Sequence, residues 1–128
     1  MERRQQGKEN REWGAEAEQI AADWLRVRGY IVRETNYRRK NVEIDIIAEL
    51  PGEMVFFEVK ARRGDKVEPL DAINEKKIKM MVRGADAYLR EFDKLFKYRF
   101  DIITITGTPD NFKLDHFPDA FLPPFSRR

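Results

Sequence analysis

Two strongly apolar segments, Val42–Leu50 and residues 54–62, stand on either side of Pro51-Gly52. Both alternate in the strand period, so each sends successive side chains to opposite faces. In the first, Glu43, Asp45 and Ile47 are expected on one face and Ile44, Ile46 and Ala48 on the other. In the second, Phe56, Glu58, Lys60 and Arg62 share a face, and Val55, Phe57, Val59 and Ala61 share the opposite one. Such a pair joined by a short turn reads as an antiparallel hairpin. One face is expected to be wholly apolar and covered by a helix, and the other to collect the charges.

The turn also sets the register. Centred on Pro51-Gly52, it pairs residues whose numbers sum to 103, which puts Asp45 opposite Glu58 and Glu43 opposite Lys60. Directly opposed Cβ atoms lie about 4.5–5.5 Å apart, and like charges there repel. Two facing carboxylates therefore call for a cation. Lys60 lies two residues beyond Glu58 on the same face, so carboxylate, carboxylate and ammonium surround one point. That donor set suits metal-assisted phosphodiester hydrolysis, with the amine stabilising developing charge or orienting the nucleophile. The plainer alternative is the solvated face of an antiparallel sheet.

Around the hairpin, apolar positions at Trp13, Ala17, Ile20, Ala21, Trp24 and Leu25 mark an amphipathic helix that Gly29 closes. A strand is expected at 30–36 and a basic turn at 38–41. A second helix carries Ile73, Met80, Met81, Gly84, Ala85, Tyr88 and Phe92. Another strand follows at 100–106, with a short last one at 111–117. The order α-β-β-β-α-β, with a possible extra C-terminal strand, describes a single α/β domain: a mixed central sheet with a hairpin in its middle, flanked by helices. Residues 1–11 read as a flexible arm, 12–106 as the domain, and 107–128 as a short strand and a Pro/Phe-rich strap.

Composition narrows the chemistry. With no cysteine and one histidine in 128 residues, thiolate sites, iron–sulfur clusters and multi-histidine centres are excluded. A resident metal would take oxygen ligands, which points to Mg²⁺ or Mn²⁺. No apolar run approaches the roughly 18 residues of a membrane span, and the expected setting is cytoplasmic, without a membrane partner. Net charge is only +2, but from Arg26 to Lys40 six basic residues face one acid, and from Lys76 to Arg83 four face none. Lys76, Lys79, Arg83 and Arg90 form a helical stripe. Of these, Lys76, Lys79 and Arg83, with Arg38, Arg39, Lys40 and Arg62, are candidate phosphate contacts, the footprint of a nucleic-acid partner. Lys77 falls on the core-facing side, from which it either reaches toward the scissile phosphate or snorkels to water.

Glu43-Ile44-Asp45-Ile46-Ile47-Ala48, followed by Phe57-Glu58-Val59-Lys60-Ala61-Arg62 with twelve residues between Asp45 and Glu58, resembles the YraN-like family of predicted endonucleases. These are relatives of archaeal Holliday junction resolvases in the restriction-endonuclease-like, PD-(D/E)xK superfamily. The resemblance runs from about Gly14 to Ile105 and includes Glu18, Gly29-Tyr30, Asn36 with Arg38, and Phe100-Asp101. It departs from the family pattern at Ala17, Val42 and Ala61, none of them a motif carboxylate or lysine. It implies a restriction-endonuclease-like fold, with Asp45 and Glu58 as metal carboxylates and Lys60 as the motif lysine. It also chooses Glu18 over Glu16, which periodicity does not, as the helix glutamate completing the acidic cluster. The implied function is a Mg²⁺-dependent endonuclease acting on DNA, branched or structured, and the resolvase relatives, which act in pairs, suggest a homodimer. The alternative is a nucleic-acid-binding or adaptor domain that keeps the fold without turnover.

Overall fold

The computed structural model describes residues 2–64 and 68–122, with side chains from Trp13 onward apart from Leu70. The chain runs α1 (Glu2–Val27), β1 (Ile31–Arg39), β2 (Val42–Leu50), β3 (Glu53–Arg62), a 3₁₀ turn (Pro69–Asp71), α2 (Glu75–Leu89), β4 (Lys97–Thr108) and β5 (Asn111–Phe121). The five strands form one sheet in the order β1-β2-β3-β4-β5, so the β2–β3 hairpin lies inside it as expected. All pairs are antiparallel except β3–β4, which is parallel and is bridged by the crossover through α2.

The first helix begins at Glu2, which corrects the reading of 1–11 as an arm. Residues 2–11 are mostly Glu, Arg, Gln and Lys, which are good helix formers, and the packed turns beyond Trp13 remove the nucleation cost of extending the helix outward. Its end matches expectation. Gly29 adopts φ 89°, the Tyr30 N–H returns to the Leu25 carbonyl at 3.1 Å, and the Gly29 N–H bonds the Arg26 carbonyl at 3.1 Å. This is a Schellman closure at a position where an L side chain would be strained.

Both faces of the sheet are covered. Trp13, Ala17, Ala21 and Leu25 of α1 pack on Ile46, Ala48, Val55, Phe57, Ile103 and Ile105. Met81, Ala85 and Tyr88 of α2 pack on Tyr37, Ile44, Ile47, Met54, Phe56 and Phe100. The expectation of one apolar and one charged face is therefore corrected: the charges gather at one end of the sheet, beneath α2. Ile44 is corrected with it, since it shares the α2 face with Ile47 rather than the α1 face with Ile46 and Ala48. The strict period of two is broken at Asp45, across from Asn36, which takes φ 52°. A left-handed residue turns the neighbouring side chains out of alternation.

The last strand is one element of eleven residues, where a short strand and a strap were expected. It carries Pro118 because it is an edge strand: Asp119 turns to φ 53° at a register shift, and Phe121 then stacks on Phe100 at 4.9 Å. Residues 123–128 of the expected strap lie outside the described residues. A buried network fixes β5 to β4. Asp101, fully enclosed, is held by Arg99 Nε at 3.0 Å, by His116 Nε2 at 2.7 Å and by the Asp119 N–H at 2.9 Å. His116, the one histidine of the chain, is thereby paired with Asp101. Among the described residues no helix is long and apolar enough to cross a membrane.

Gly84 lets α2 lie directly on β2, because a Cβ there would come within 2.7 Å of the Ile44 Cδ1. Ile44 is fully buried and cannot swing clear. Gly84→Leu is therefore expected to destabilise the domain by about 1–3 kcal/mol through overpacking, despite its better helix propensity. A urea unfolding midpoint equal to the parent's would show that the helix–sheet contact is looser than this.

Candidate functional site

The ladder between β2 and β3 keeps the expected register: Ile46 pairs with Phe57, Ile47 with Phe56 and Ala48 with Val55. It then stops one step short of Asp45 and Glu58. The Val59 N–H, which a continuing strand would have to satisfy, is instead bound by Asp45 Oδ2 at 2.8 Å. A side-chain carboxylate thus takes over where the backbone ladder ends, and β2 is free to part from β3. Glu58, 5% exposed, lies beside this opening. Its Oε2 accepts from Lys77 Nζ at 3.0 Å. Lys77 stands in the first turn of α2, whose start is set by Asn74: the Asn74 Oδ1 accepts from the Lys77 N–H at 2.8 Å. Lys60 is one pleat beyond Glu58. Glu58, Lys60, Lys76 and Lys77 line a cleft of about 370 Å³ together with Asn74 and Met80.

The carboxyls here hold their protons unusually well. Glu58 is pushed up to about 8, first by burial and then by Asp45, with Lys77 pulling the other way. Asp45 is also raised by burial, which the Val59 N–H partly offsets. Asp45 and Glu58 lie within range of each other's charge, and the pair cannot comfortably carry two charges. Glu18, half-buried on α1, is raised to about 7 by burial, then by Asp45 and Glu43, against Arg38. Glu16 is exposed, so the structure singles out the same glutamate as the resemblance does. Burial lowers the affinity of Lys77 for its proton, yet Glu58 and Asp45 more than restore it.

This is the electrostatic profile of an acid cluster with too little positive charge. Asp45 and Glu58 are hard oxygen donors, side by side, and fit a small divalent ion. Among the described residues no set of three or more His, Asp or Glu side chains is close enough to hold a metal by itself; Glu18 lies within electrostatic range of Asp45. Mg²⁺ commonly makes do with one or two carboxylates, completing its shell with water and phosphate oxygens.

The basic candidates divide into two groups. Arg38, Arg39 and Lys40 line a second cleft of about 440 Å³ with Glu43 and Met80, and Met80 borders both clefts, so the two adjoin. Arg38 NH2 is 3.4 Å from Glu43, and the Arg39 guanidinium lies 4.4 Å over the Tyr37 ring. Lys76 joins Lys77 in the first cleft. The remainder of the expected stripe points elsewhere: Lys79 pairs with Glu75 at 3.4 Å, Arg90 with Asp86 at 3.0 Å, and Arg83 and Arg62 are exposed but line neither cleft. Sequence reasoning did not foresee Lys77 as the partner of Glu58, nor Asn74 as the residue that positions it. An asparagine three residues before a lysine is an available N-cap signal, but the tertiary partner leaves no local trace.

Residues 17–105, which contain Glu18, Asp45, Glu58, Lys60 and Lys77, match the model of a family described as "Uncharacterised protein family UPF0102". The chain belongs to this family. It is 40% identical over 117 residues to a UPF0102 protein of Phocaeicola vulgatus, covering 91% of this chain and 97% of that one. A UPF0102 protein of Bacteroides thetaiotaomicron is 41% identical with the same coverage. One from Flavobacterium psychrophilum is 35% identical over 88% of this chain and 96% of its own.

Raised carboxyl pKa values oppose folding at neutral pH. Between about 4.5 and 8 the native Glu58 holds a proton that the unfolded chain releases, so stability falls as pH rises through that window. Glu18 adds the same sign up to about 7. In chelator-treated protein, Glu58→Gln is expected to flatten this decline and to raise stability at pH 8 by on the order of 1–2 kcal/mol. Urea midpoints taken from pH 5 to 8 read the effect; parallel curves for parent and variant would contradict it.

Proposed function

We propose that this chain is a Mg²⁺- or Mn²⁺-dependent endonuclease of the restriction-endonuclease-like, PD-(D/E)xK type, hydrolysing phosphodiester bonds in DNA, with branched or structured DNA as the substrate class. The observation that carries this reading is the Asp45–Glu58 carboxyl pair, short of positive charge, whose Glu58 lines with Lys60 and Lys77 a cleft that adjoins a basic one. Asp45 and Glu58 would hold the ion. When bound, it supplies Lewis acidity toward a phosphoryl oxygen and makes a water nucleophilic near neutral pH. Asp45 is kept in place for this by its hydrogen bond to the Val59 N–H. Lys60 stabilises charge as it builds on the phosphate or orients the attacking water. Arg38, Arg39, Lys40 and Lys76 grip flanking phosphates from the two clefts, and Glu18 strengthens the negative field at the ion. The cytoplasmic setting and the action of two copies on one junction belong to the same proposal and are supported by the resemblance to junction resolvases.

A nucleic-acid-binding domain without turnover is the competing reading. It is favoured by the Lys77–Glu58 ion pair, which supplies one cation to the acids without a metal. Asp45→Asn separates the two, because its amide oxygen can still accept from the Val59 N–H and so spare the strand junction. Assayed with Mn²⁺ on DNA junctions, flaps and linear strands, the parent is expected to cleave and the variant to lose on the order of 10²-fold or more in rate at an unfolding midpoint no lower than the parent's. Cleavage at the parent's rate would remove Asp45 from the chemistry. No cleavage by the parent on any substrate would favour the binding domain.

A further inference from the structure

Lys77 is the described cation in direct contact with the acid pair. Its Nζ is 3.0 Å from Glu58 Oε2, while Lys60, the lysine marked by the sequence, forms no ion pair with any described residue. The two ends of Lys77 have different freedom. Its backbone is fixed, because the N–H is bound by the Asn74 Oδ1 at the helix start. Its side chain is about a third exposed (35%) and lines the cleft with Lys60 and Lys76. A flexible four-carbon stem thus carries a point charge that can leave Glu58 by moving into the cleft it lines.

Resting on the nuclease reading, we propose that Lys77, seated on Glu58, is the resident counter-ion of the Asp45–Glu58 pair until a divalent ion enters, and then swings into the cleft to hold a phosphate oxygen of the DNA. The two cations compete for one carboxylate. A divalent ion bound at about 2.0–2.1 Å from a carboxylate oxygen brings two positive charges up against the ammonium, and at such range like charges repel strongly in a partly buried site. The displaced ammonium moves into the cleft, where Lys60 and Lys76 outnumber the remaining acid, Asp71, and where a substrate phosphate would supply its next anion. Metal entry and substrate grip are thereby coupled through one side chain. Without the ion, the same lysine is unavailable to DNA.

The test uses the full chain with Lys77→Met, Lys77→Gln and Lys77→Arg. Isothermal titration with Mn²⁺ is expected to show the Met and Gln variants binding on the order of tenfold tighter than the parent, with Arg close to the parent. Affinity for a synthetic four-way DNA junction is then measured in chelator and in Ca²⁺. Met and Gln are expected to match the parent in chelator and to bind on the order of tenfold more weakly in Ca²⁺. The Gln variant, which still donates to Glu58, keeps the comparison open should Met fail to fold. Equal Mn²⁺ affinities in parent and variants would overturn the counter-ion role. A DNA defect of the same size with and without Ca²⁺ would overturn the coupling. Absence of Mn²⁺ binding in every protein would overturn the metal reading itself, and this proposal with it.

Discussion

The hydrogen bond from the Val59 N–H to Asp45 Oδ2 is the contact on which the site depends. β3 is the middle strand of five, and a buried backbone donor in such a strand must find an acceptor. Had β2 supplied a carbonyl, the ladder would have continued and Asp45 and Glu58 would stand as a closed cross-strand pair. With a carboxylate as acceptor, the β2–β3 ladder begins only at Ile46, and Lys77 of α2 reaches Glu58 beside that opening. One substitution of side chain for backbone thereby satisfies a donor, orients an acid and opens a cleft.

Two buried carboxylates in this sheet show how differently the same group can be handled. Burial pulls Asp101 up, but hydrogen bonds from His116, Arg99 and the Asp119 N–H win and hold it below the usual carboxylate range. It is a satisfied structural anchor that secures the edge strand. Glu58 has one ammonium and faces another acid, so burial dominates and its proton is retained. An unfavourable charge arrangement of this kind weakens the fold and is a physical reason to look for function at a position. Both helices bear on it: α1 brings Glu18 to within electrostatic range, and α2 brings Lys77 into contact. The close seat of α2 on β2, made possible at Gly84, sets how far Lys77 must reach.

Much of the architecture was legible because its signals are local. Alternation in β3 and in β2 beyond Asp45, the Pro51-Gly52 turn, the apolar faces of α1 and α2 and the glycine closing α1 each depend on residues near in sequence, and all appear in the structure. The acids Asp45 and Glu58 were legible through register, since a sum of 103 follows from the turn alone. The errors have a common cause. Ile44 was put on the wrong face because a single left-handed residue on the neighbouring strand, Asn36, breaks the period of two. The last strand was cut short at Pro118, although an edge strand tolerates proline. Residues 2–11 lack an apolar stripe, so no periodicity announced their helix.

The amino-acid order by itself determined which residues could carry chemistry: two acids and a lysine on a hairpin, oxygen ligands only, and basic clusters before and after. Periodicity and turn chemistry suffice for that, because they act over a few residues. Only the tertiary structure decided that the ladder ends just before the acids, that the ammonium beside Glu58 comes from Lys77, and that the basic turn shares a border with the acid cleft at Met80. Those are contacts between elements distant in sequence. They depend on how two helices seat on a twisted sheet, and nothing in the local pattern encodes the distance from an ammonium to a buried carboxylate.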